Sequence, residues 1–441
     1  MPRMADDTSV GVHRPELLKA MSEFMSPCVF GALDTGGWAW SAWLLALGAI
    51  LMAWDSAPGL VARFDSVRAA LRELFPKKPL GESYQGFIKA LMKHSLALLD
   101  ALTGHLRQQC RAMAPAHWLR QGWCAFAVDG SRLECPRTAA NQEVLRCAGK
   151  KKTGPQLFLT TIRHMGTGLP WAFRIGPGTD SERNHLRDLL GLLPPLALLV
   201  ADAGFVGYDL VTSILAGGSQ FLIRVGSNVT LLRQLGFAQV EADNTVYLWP
   251  DKHRRKDLPP VVLRLIQLHD GRKPVFLLTS VLDDTALSDS QASVLYRMRW
   301  GIEVFYRSLK QTLARRKMRS AAPPQAHCEL SWAVMGLWVL AMMSIRQIVR
   351  AGGDPLVLSV ATALRQVRLA IRRGPCSPTA RILLGHLGAA VKDSYVRSTS
   401  KKARDWPHKK KDKPPGLPRI EIATQEQLLQ AKSLYAKTKA A

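Results

Sequence analysis

Asp129 follows the apolar run Cys124-Ala-Phe-Ala-Val128 and precedes Gly130-Ser131, while Asp202 follows Leu196-Ala-Leu-Leu-Val-Ala201 and precedes Ala203-Gly204. A buried strand that ends on Asp delivers the carboxylate to the carboxyl edge of a sheet, where α/β proteins build their sites. An Asp at a strand end is also a common turn or cap residue, so each aspartate alone has two readings. A third carboxylate is more specific. In a helix expected over about 288–315, Tyr296, Arg299, Glu303 and Lys310 are spaced by 3, 4 and 7, which at about 100° per residue gathers them within an arc of about 60°. Beside them Leu295, Ile302, Leu309 and Leu313 form an apolar stripe, so such a helix packs on a sheet while its polar edge reaches the aspartates. The alternative is a solvated charged face, which gives the tyrosine no purpose.

Three carboxylates from two strand ends and one helix suit a pair of hard divalent cations, which prefer oxygen ligands and keep open positions for water and phosphate. Two ions about 3.5–4 Å apart activate the attacking oxygen and stabilise the leaving one in an in-line displacement at phosphorus. Water as the attacker gives hydrolysis, and a DNA 3′-hydroxyl gives strand transfer. Arg299 and Lys310 would hold phosphates, with Tyr296 hydrogen-bonding or stacking beside them. Arg132, close behind Asp129, and the loop cluster Lys150, Lys151 and Lys152 are further phosphate candidates; a solvated loop is the competing reading of the lysines. Glu182 sits where a helix start favours an acid and reads as a capping group. Glu134 falls in an expected loop, which sets it apart from the three.

The elements that must position these groups follow from periodicity. Residues 14–113 carry long helical patterns punctuated by Ser56-Ala57-Pro58 and Pro76-Lys77-Lys78-Pro79. From about 122 the pattern turns to α/β. Strands are expected at 123–128, 156–163, 171–175, 196–201 and 220–225, with helices at 181–193 and 208–215 between them. Further strands are expected at 246–249, 261–268 and 275–280. The domain scheme is a helical domain over 1–115, a core over 116–225, a β-rich insertion over 226–280, the core's helix over 281–320, C-terminal helices over 321–395 and a basic tail over 396–441. Nine Lys/Arg against Asp405 and Asp412 between 397 and 419 read as an extended phosphate-binding tail or a solvated one.

Composition limits the partners. With 60 Lys plus Arg against 34 Asp plus Glu, the formal net charge is +26. Such a chain seeks a polyanion, through counterion release on nucleic acid or attraction to an anionic membrane. Seven scattered cysteines with no CxxC pair argue against a zinc ribbon or a disulfide framework and fit a reducing cytosol. The first ten residues show no secretory pattern. Gly36–Trp54 is an uncharged stretch of 19 residues with four tryptophans, long enough to span a bilayer. Its flanks are Asp34 and Asp55 where a span would carry Lys or Arg, so a buried helix is expected there, as it is over 330–345.

The spacing Tyr296-x2-Arg299-x3-Glu303-x6-Lys310 matches the Y-x2-R-x3-E-x6-K signature, and the chain thereby resembles the bacterial insertion-sequence 4 family of DDE transposases. Asp129-Gly-Ser is similar to the family's first-Asp motif and Asp202-Ala-Gly-Phe-Val-Gly-Tyr to its second. The resemblance covers about residues 120–420. It implies an α/β RNase H-like catalytic core with a β-rich insertion, preceded by an N-terminal helical domain and followed by C-terminal helices and a basic tail. It also implies Asp129, Asp202 and Glu303 as catalytic metal ligands for two Mg2+ ions, with Mn2+ as a substitute. The implied partners are double-stranded DNA, as terminal inverted repeats and target, and a second copy of the chain, with no membrane. Cut-and-paste movement in the bacterial cytoplasm, at the nucleoid, is the implied activity; a transposase-derived DNA-binding protein without catalysis is the alternative. Relatives stack a Trp of the insertion on a flipped base, and Val275 stands at that place here, with Phe276 and Trp249 as the nearby aromatics.

Overall fold

The computed structural model describes residues 13–33, 40–148, 154–238, 241–249, 258–269, 274–372, 383–393 and 416–440. Four helices open the described chain, α1 (His13–Ser22), α2 (Ala42–Trp54), α3 (Leu60–Leu74) and α4 (Tyr84–Met113). Then come β1 (Ala125–Glu134), α5 (Ala139–Leu145), β2 (Gln156–His164), β3 (Pro170–Pro177), α6 (Glu182–Leu189), β4 (Leu198–Ala201), α7 (Tyr208–Ala216) and β5 (Gln220–Val225). Four strands follow: β6 (Thr230–Arg233), β7 (Thr245–Leu248), β8 (Val261–His269) and β9 (Pro274–Thr279). The remainder comprises α8 (Asp289–Met298), α9 (Gly301–Arg307), α10 (Pro323–Arg350), α11 (Val360–Ile371), α12 (Leu383–Gly388), β10 (Arg419–Ile422) and α13 (Gln425–Ala440).

The chain forms two compact units. A helical unit gathers Met1–Leu119, Gly130–Ser181 and Gly301–Lys392; a sheet unit gathers Arg120–Asp129, Glu182–Trp300 and Asp393–Ala441. The sequence of β1 contributes to both, its first five residues to the sheet unit and its last five to the helical unit.

In the sheet unit the strand order is β10-β6-β7-β8-β9-β5-β4-β1. β4, with Leu198-Leu-Val-Ala201 wholly buried, lies between β1 and β5 and pairs parallel with both, which explains its unbroken apolar run. From β5 the sheet continues antiparallel through β9, β8, β7 and β6. The 226–280 stretch expected to be β-rich supplies those four strands. β10 then pairs parallel with β6, and α13 covers this end through a core of Leu232, Leu235, Tyr247, Trp249, Ala431 and Leu434. This last strand and helix correct the expectation of a tail over the final residues; residues 397–415 lie outside the described residues. Nothing in the short, exposed Arg-Ile-Glu-Ile sequence signals a strand, because its partner is almost two hundred residues away in the chain.

The helical unit is organised on α10. Pro323 opens this helix at a position where the missing N–H costs nothing. α10 is long and apolar enough to cross a membrane, and 94% of its most apolar window is buried inside the protein, in keeping with the core helix expected there. α2 is likewise buried, capped by the Ser41 hydroxyl, which accepts from the Leu44 amide. Its Trp54 and the preceding Trp40 are buried, and its Trp43 is half-buried. Trp40 packs against Phe64 and Phe87, Trp43 against Phe75, and Trp54 donates its indole N–H to the Gly336 carbonyl at 2.9 Å. Gly336 permits that approach, since a Cβ there would lie 2.9 Å from Ala53 Cβ. The same unit holds an antiparallel β2–β3 pair beside the second half of β1.

Candidate active site

Register places the two aspartates. β1 and β4 are aligned Ala125↔Leu198, Phe126↔Leu199 and Ala127↔Val200, so continuing by two residues sets Asp129 beside Asp202. β4 and β5 are aligned up to Ala201↔Ile223, and one further step sets Arg224 beside Asp202. Both aspartates are half-buried. The expected end of the first strand needs correction, because β1 runs on to Glu134 and Asp129 lies inside it. It is the pairing with β4 that stops just before Asp129, so the carboxylate still sits where the parallel ladder ends.

Asp202 is fixed locally. It caps a short 3-10 turn, Ala203–Phe205, with Oδ1 accepting the Gly204 amide at 2.8 Å. Arg183 donates Nε to the Gly204 carbonyl at 2.7 Å, and Asn228 donates its amide to the Ala203 carbonyl at 2.8 Å. Glu182 comes to the same loop: a Cβ on Gly204 would lie 2.9 Å from Glu182 Oε1 and 3.0 Å from Asp202 Oδ1. The cap expected of Glu182 at the start of α6 is thus also a second carboxylate beside Asp202. A cleft of about 540 Å3 adjoins this loop, lined among others by Arg183, Arg187, Tyr208, Asn228, Trp249 and Glu421.

Tyr296, on α8, belongs to the same neighbourhood. α8 begins where expected, with a reciprocal cap in which Ser288 Oγ accepts from the Gln291 amide and Gln291 Oε1 accepts from the Ser288 amide. Burial raises the Tyr296 pKa above its ordinary value, with Arg299 and Arg224 opposing the rise and Asp202 adding to it. Arg299 lies 5.8 Å from the centre of the Tyr296 ring. Arg224 hydrogen-bonds Tyr296. A guanidinium has only donors, so the tyrosine oxygen accepts and its own O–H is left to donate.

Glu303 and Lys310 belong to the helical unit, and the single helix expected over 288–315 is broken. α8 ends at Met298, α9 starts at Gly301, and Ser308–Thr312 is a π turn in which the Leu313 amide reaches the Ser308 carbonyl. Two causes are visible. The guanidinium of Arg163 occupies the space a Cβ on Gly301 would need, so any other residue must displace it, and glycine is a poor helix former. The π turn then inserts an extra residue and shifts the phase of all that follows. Projection of Tyr296, Arg299, Glu303 and Lys310 onto one straight helix therefore fails. The apolar stripe is buried as expected, with Leu295, Ile302, Leu309 and Leu313 at 1% exposure or less. Tyr306 ties α9 to β2 by donating its hydroxyl to the Leu159 carbonyl at 3.2 Å. Burial lowers Arg163 to about 10.

Arg132 stacks over the Phe158 ring at 4.4 Å and donates Nε to the Gly178 carbonyl at 2.9 Å, so part of its side chain is held by the fold. Glu134 exchanges backbone hydrogen bonds with Arg316 and Met318. Lys150, Lys151 and Lys152 lie outside the described residues. Val275 stands opposite Leu268, and Phe276 opposite Val225 on β5. Trp249 is 4% exposed, with its indole N–H bonded to the Leu258 carbonyl at 2.8 Å, at the wall of the cleft. His164 is structural, paired with Thr167 and the Trp118 carbonyl. The described cysteines are free thiols, most of them buried.

Sequence reasoning missed Arg224, Arg183, Arg187 and Asn228, and read Glu182 only as a cap. Arg224 left a signal, as the one charge in Phe221-Leu-Ile-Arg-Val225. Arg183, Asn228 and Glu182 act through a loop contact that no local pattern encodes, and Arg187 lines the cleft. Among the described residues, no group of three or more His, Cys, Asp or Glu side chains is gathered to hold a metal ion. The oxygen-only donor set of Asp129 and Asp202 nevertheless fits a hard divalent cation in kind. A carboxylate offers about four lone-pair sites, and the Gly204 amide takes one from Asp202.

Comparison with known proteins gives this arrangement its class. Residues 121–339 match the transposase DDE domain family. The chain is 27% identical over 232 residues to the transposase InsG of insertion sequence element IS4 from Escherichia coli (strain K12), an overlap of 50% of this chain and 51% of that protein. It thus spans about half the length of the curated relative it matches. A cryo-EM structure of a piggyBac transposase synaptic complex with hairpin DNA aligns over 92% of this chain and 91% of that one, at a TM-score of 0.41 and 14% identity. By the family match the chain is similar to the DDE transposases. Within that class its likeness is to an insertion-sequence 4 transposase.

Proposed function

We propose that this chain moves an insertion sequence, cleaving DNA at the element's ends and joining them to target DNA by metal-dependent phosphodiester chemistry. The observation that carries the reading is the register that sets Asp129 beside Asp202 at the end of a parallel ladder, within residues that match the DDE domain. Glu303, from the helical unit, is the third ligand in this reading, on an RNase H-like core. Asp129, Asp202 and Glu303 would hold two Mg2+ ions, or Mn2+, which when bound supply activation of the attacking oxygen and relief of charge on the leaving one.

The protein's own groups do the rest. The Gly204 amide and the Arg183 and Asn228 contacts to this loop hold Asp202 in one orientation. Tyr296, kept protonated by burial and with its oxygen occupied by Arg224, donates to a phosphate oxygen. Arg299 and Arg224 supply positive charge to the same phosphate, and Lys310 and Arg132 contact DNA from the helical unit. A dimer of the chain on paired inverted repeats, acting by cut and paste in the cytoplasm at the nucleoid, completes the proposal. Residues 1–115 and the basic segment after 396 serve DNA-end and phosphate binding, and Lys150–Lys152 add a clamp.

The test uses purified protein, DNA carrying the inverted repeats that flank the gene, and Mg2+ or Mn2+. Wild type cleaves only with metal, and Asp129→Ala, Asp202→Ala and Glu303→Ala bind the ends without cutting them. Equal cleavage by all four proteins removes these carboxylates from the chemistry. Binding without cleavage by wild type points instead to a DNA-binding descendant.

A further inference from the structure

A cleft of about 530 Å3 in the helical unit is walled by Ser56, Gln311, Thr312 and three arginines, Arg365 and Arg368 of α11 and Arg372 just past its end. The arginines follow one another at i, i+3 and i+7, so they share one helix face. Arg368 donates Nε to the Trp54 carbonyl at 2.7 Å, and Arg372 donates to the Ser56 hydroxyl. These acceptors are neutral. They orient the guanidinium groups and leave the charge, and most of the five N–H donors on each, for another partner.

The ground behind the cleft is also cationic. Arg63 and Arg315 are 2% and 3% exposed, and both are depressed by burial first and then by arginine neighbours, among them Arg319 and Arg368. Asp55 and Glu329 are the acids that bear on this group. Glu329 stands 4.0 Å from Arg315, and the buried Arg63 Nη1 has no hydrogen-bond partner. Six arginines against two carboxylates leave a surplus that the fold does not neutralise. Arg365 and Arg372, at the exposed rim, are where an external anion can meet it.

We infer that this cleft is a second DNA-backbone site, in which Arg365, Arg368 and Arg372 grip phosphates along one strand of a duplex. The inference rests on the proposed reading of the chain as acting on DNA, and it adds a contact outside the matched DDE domain, which stops at residue 339. Seven helical residues span about 10 Å, close to the rise of three nucleotides along one strand of B-DNA at ~3.4 Å each. Arg368, held between the other two, would meet a phosphate between theirs.

The experiment is equilibrium binding of the full chain to a duplex of scrambled sequence over a series of salt concentrations. Each phosphate that is no longer neutralised lowers the steepness of log K against log salt by about 0.9, so Arg365→Ala/Arg372→Ala lowers it by about 1.8 and weakens binding on the order of 10–100-fold near 0.1 M salt. Lys317→Ala/Arg350→Ala removes the same charge from two exposed positions of the same unit and is the control. If the arginine pair unfolds the protein, Arg365→Glu, at an exposed site, gives the same reading with a larger loss. An unchanged slope, or an equal loss in the control variant, overturns the inference. So does loss of binding to anionic phospholipid vesicles with duplex binding intact, which would make the surface a membrane contact. End cleavage is read separately. Cleavage with an unmoved slope sinks the cleft and spares the function; a moved slope without cleavage by wild type does the reverse.

Discussion

The sheet unit and the helical unit place their chemistry by different means. In the sheet unit, Asp129, Asp202 and Arg224 fall side by side because β1, β4 and β5 are parallel and in register. Strand register is a discrete quantity, since a slip of one residue turns every side chain to the other face. A buried β4 forbids that slip. In the helical unit, Glu303 is placed by the start of a short helix, by a glycine pressed against Arg163 and by a π turn. Those are continuous adjustments that packing sets. The lesson is that the strand-borne carboxylates tolerate change around them, whereas the helix-borne carboxylate depends on its neighbours.

Loss of a carboxylate proposed to hold metal is the largest effect expected. Asp202→Asn should lower end cleavage about 10³-fold or more, the several kcal/mol that metal-assisted charge stabilisation is worth, with the thermal midpoint close to that of wild type. A large fall in the midpoint would make Asp202 a loop cap in the main, against the register argument. The next effect concerns the helical unit alone. Trp54→Ala removes a buried indole and its bond to Gly336, at a cost of about 3–5 kcal/mol. Hydrogen exchange should then show α2 and α10 losing protection while β4 and β5 keep theirs. Simultaneous loss would mean the two units unfold as one.

Gly301 sharpens the comparison further. Gly301→Ala should cost about 1–3 kcal/mol, because the new methyl meets the Arg163 guanidinium, which Gly168 confines from its other side. Displacement of Glu303 by an ångström is worth up to about 10²-fold in cleavage. Arg163→Ala in the same chain should restore much of both. The matching change in the sheet unit, Gly204→Ala, puts a methyl against the Glu182 and Asp202 carboxylates. If the double variant Gly301→Ala/Arg163→Ala is as impaired as Gly301→Ala, the contact with Arg163 does not set the helix start.

This difference also governs what the sequence discloses. The strands carrying Asp129 and Asp202 are visible as apolar runs, and β5 is expected over the residues where it occurs, because burial on both faces leaves a mark in composition. The α8 start is visible in Ser288 and Gln291 for a local reason, the reciprocal cap. The break at 299–300 leaves no mark, since Arg299-Trp300 are acceptable helix formers and the obstacle, Arg163, is distant in sequence. β10 and α13 are hidden likewise, their core partners Leu232, Tyr247 and Trp249 lying far upstream. Glu182 is legible as a cap, while its approach to Gly204 depends on how α6 meets the Asp202 loop.

Alkaline pH offers the smallest and most selective test of the two units. Burial raises the Cys110 thiol to about 11 and the Cys328 thiol to about 12, and raises Tyr84 to about 12. All three belong to the helical unit. A group whose pKa is higher folded than unfolded stabilises the fold fully below its unfolded value, near 9 for a thiol here, and that contribution is lost as pH climbs through the folded value. Denaturant unfolding should therefore show constant stability from these groups up to about pH 9 and a decline from there to about 12, at most about 1.4 kcal/mol per pH unit for each buried thiol. Cys28 is exposed and should alkylate at once, while Cys110 and Cys328 should react only as the helical unit opens. Cys124, the one described cysteine of the sheet unit, is the internal comparison. If Cys124 reacts together with Cys110 and Cys328 along the alkaline limb, the separate stability of the two units is lost as an explanation. Earlier reaction of the helical-unit thiols would keep it.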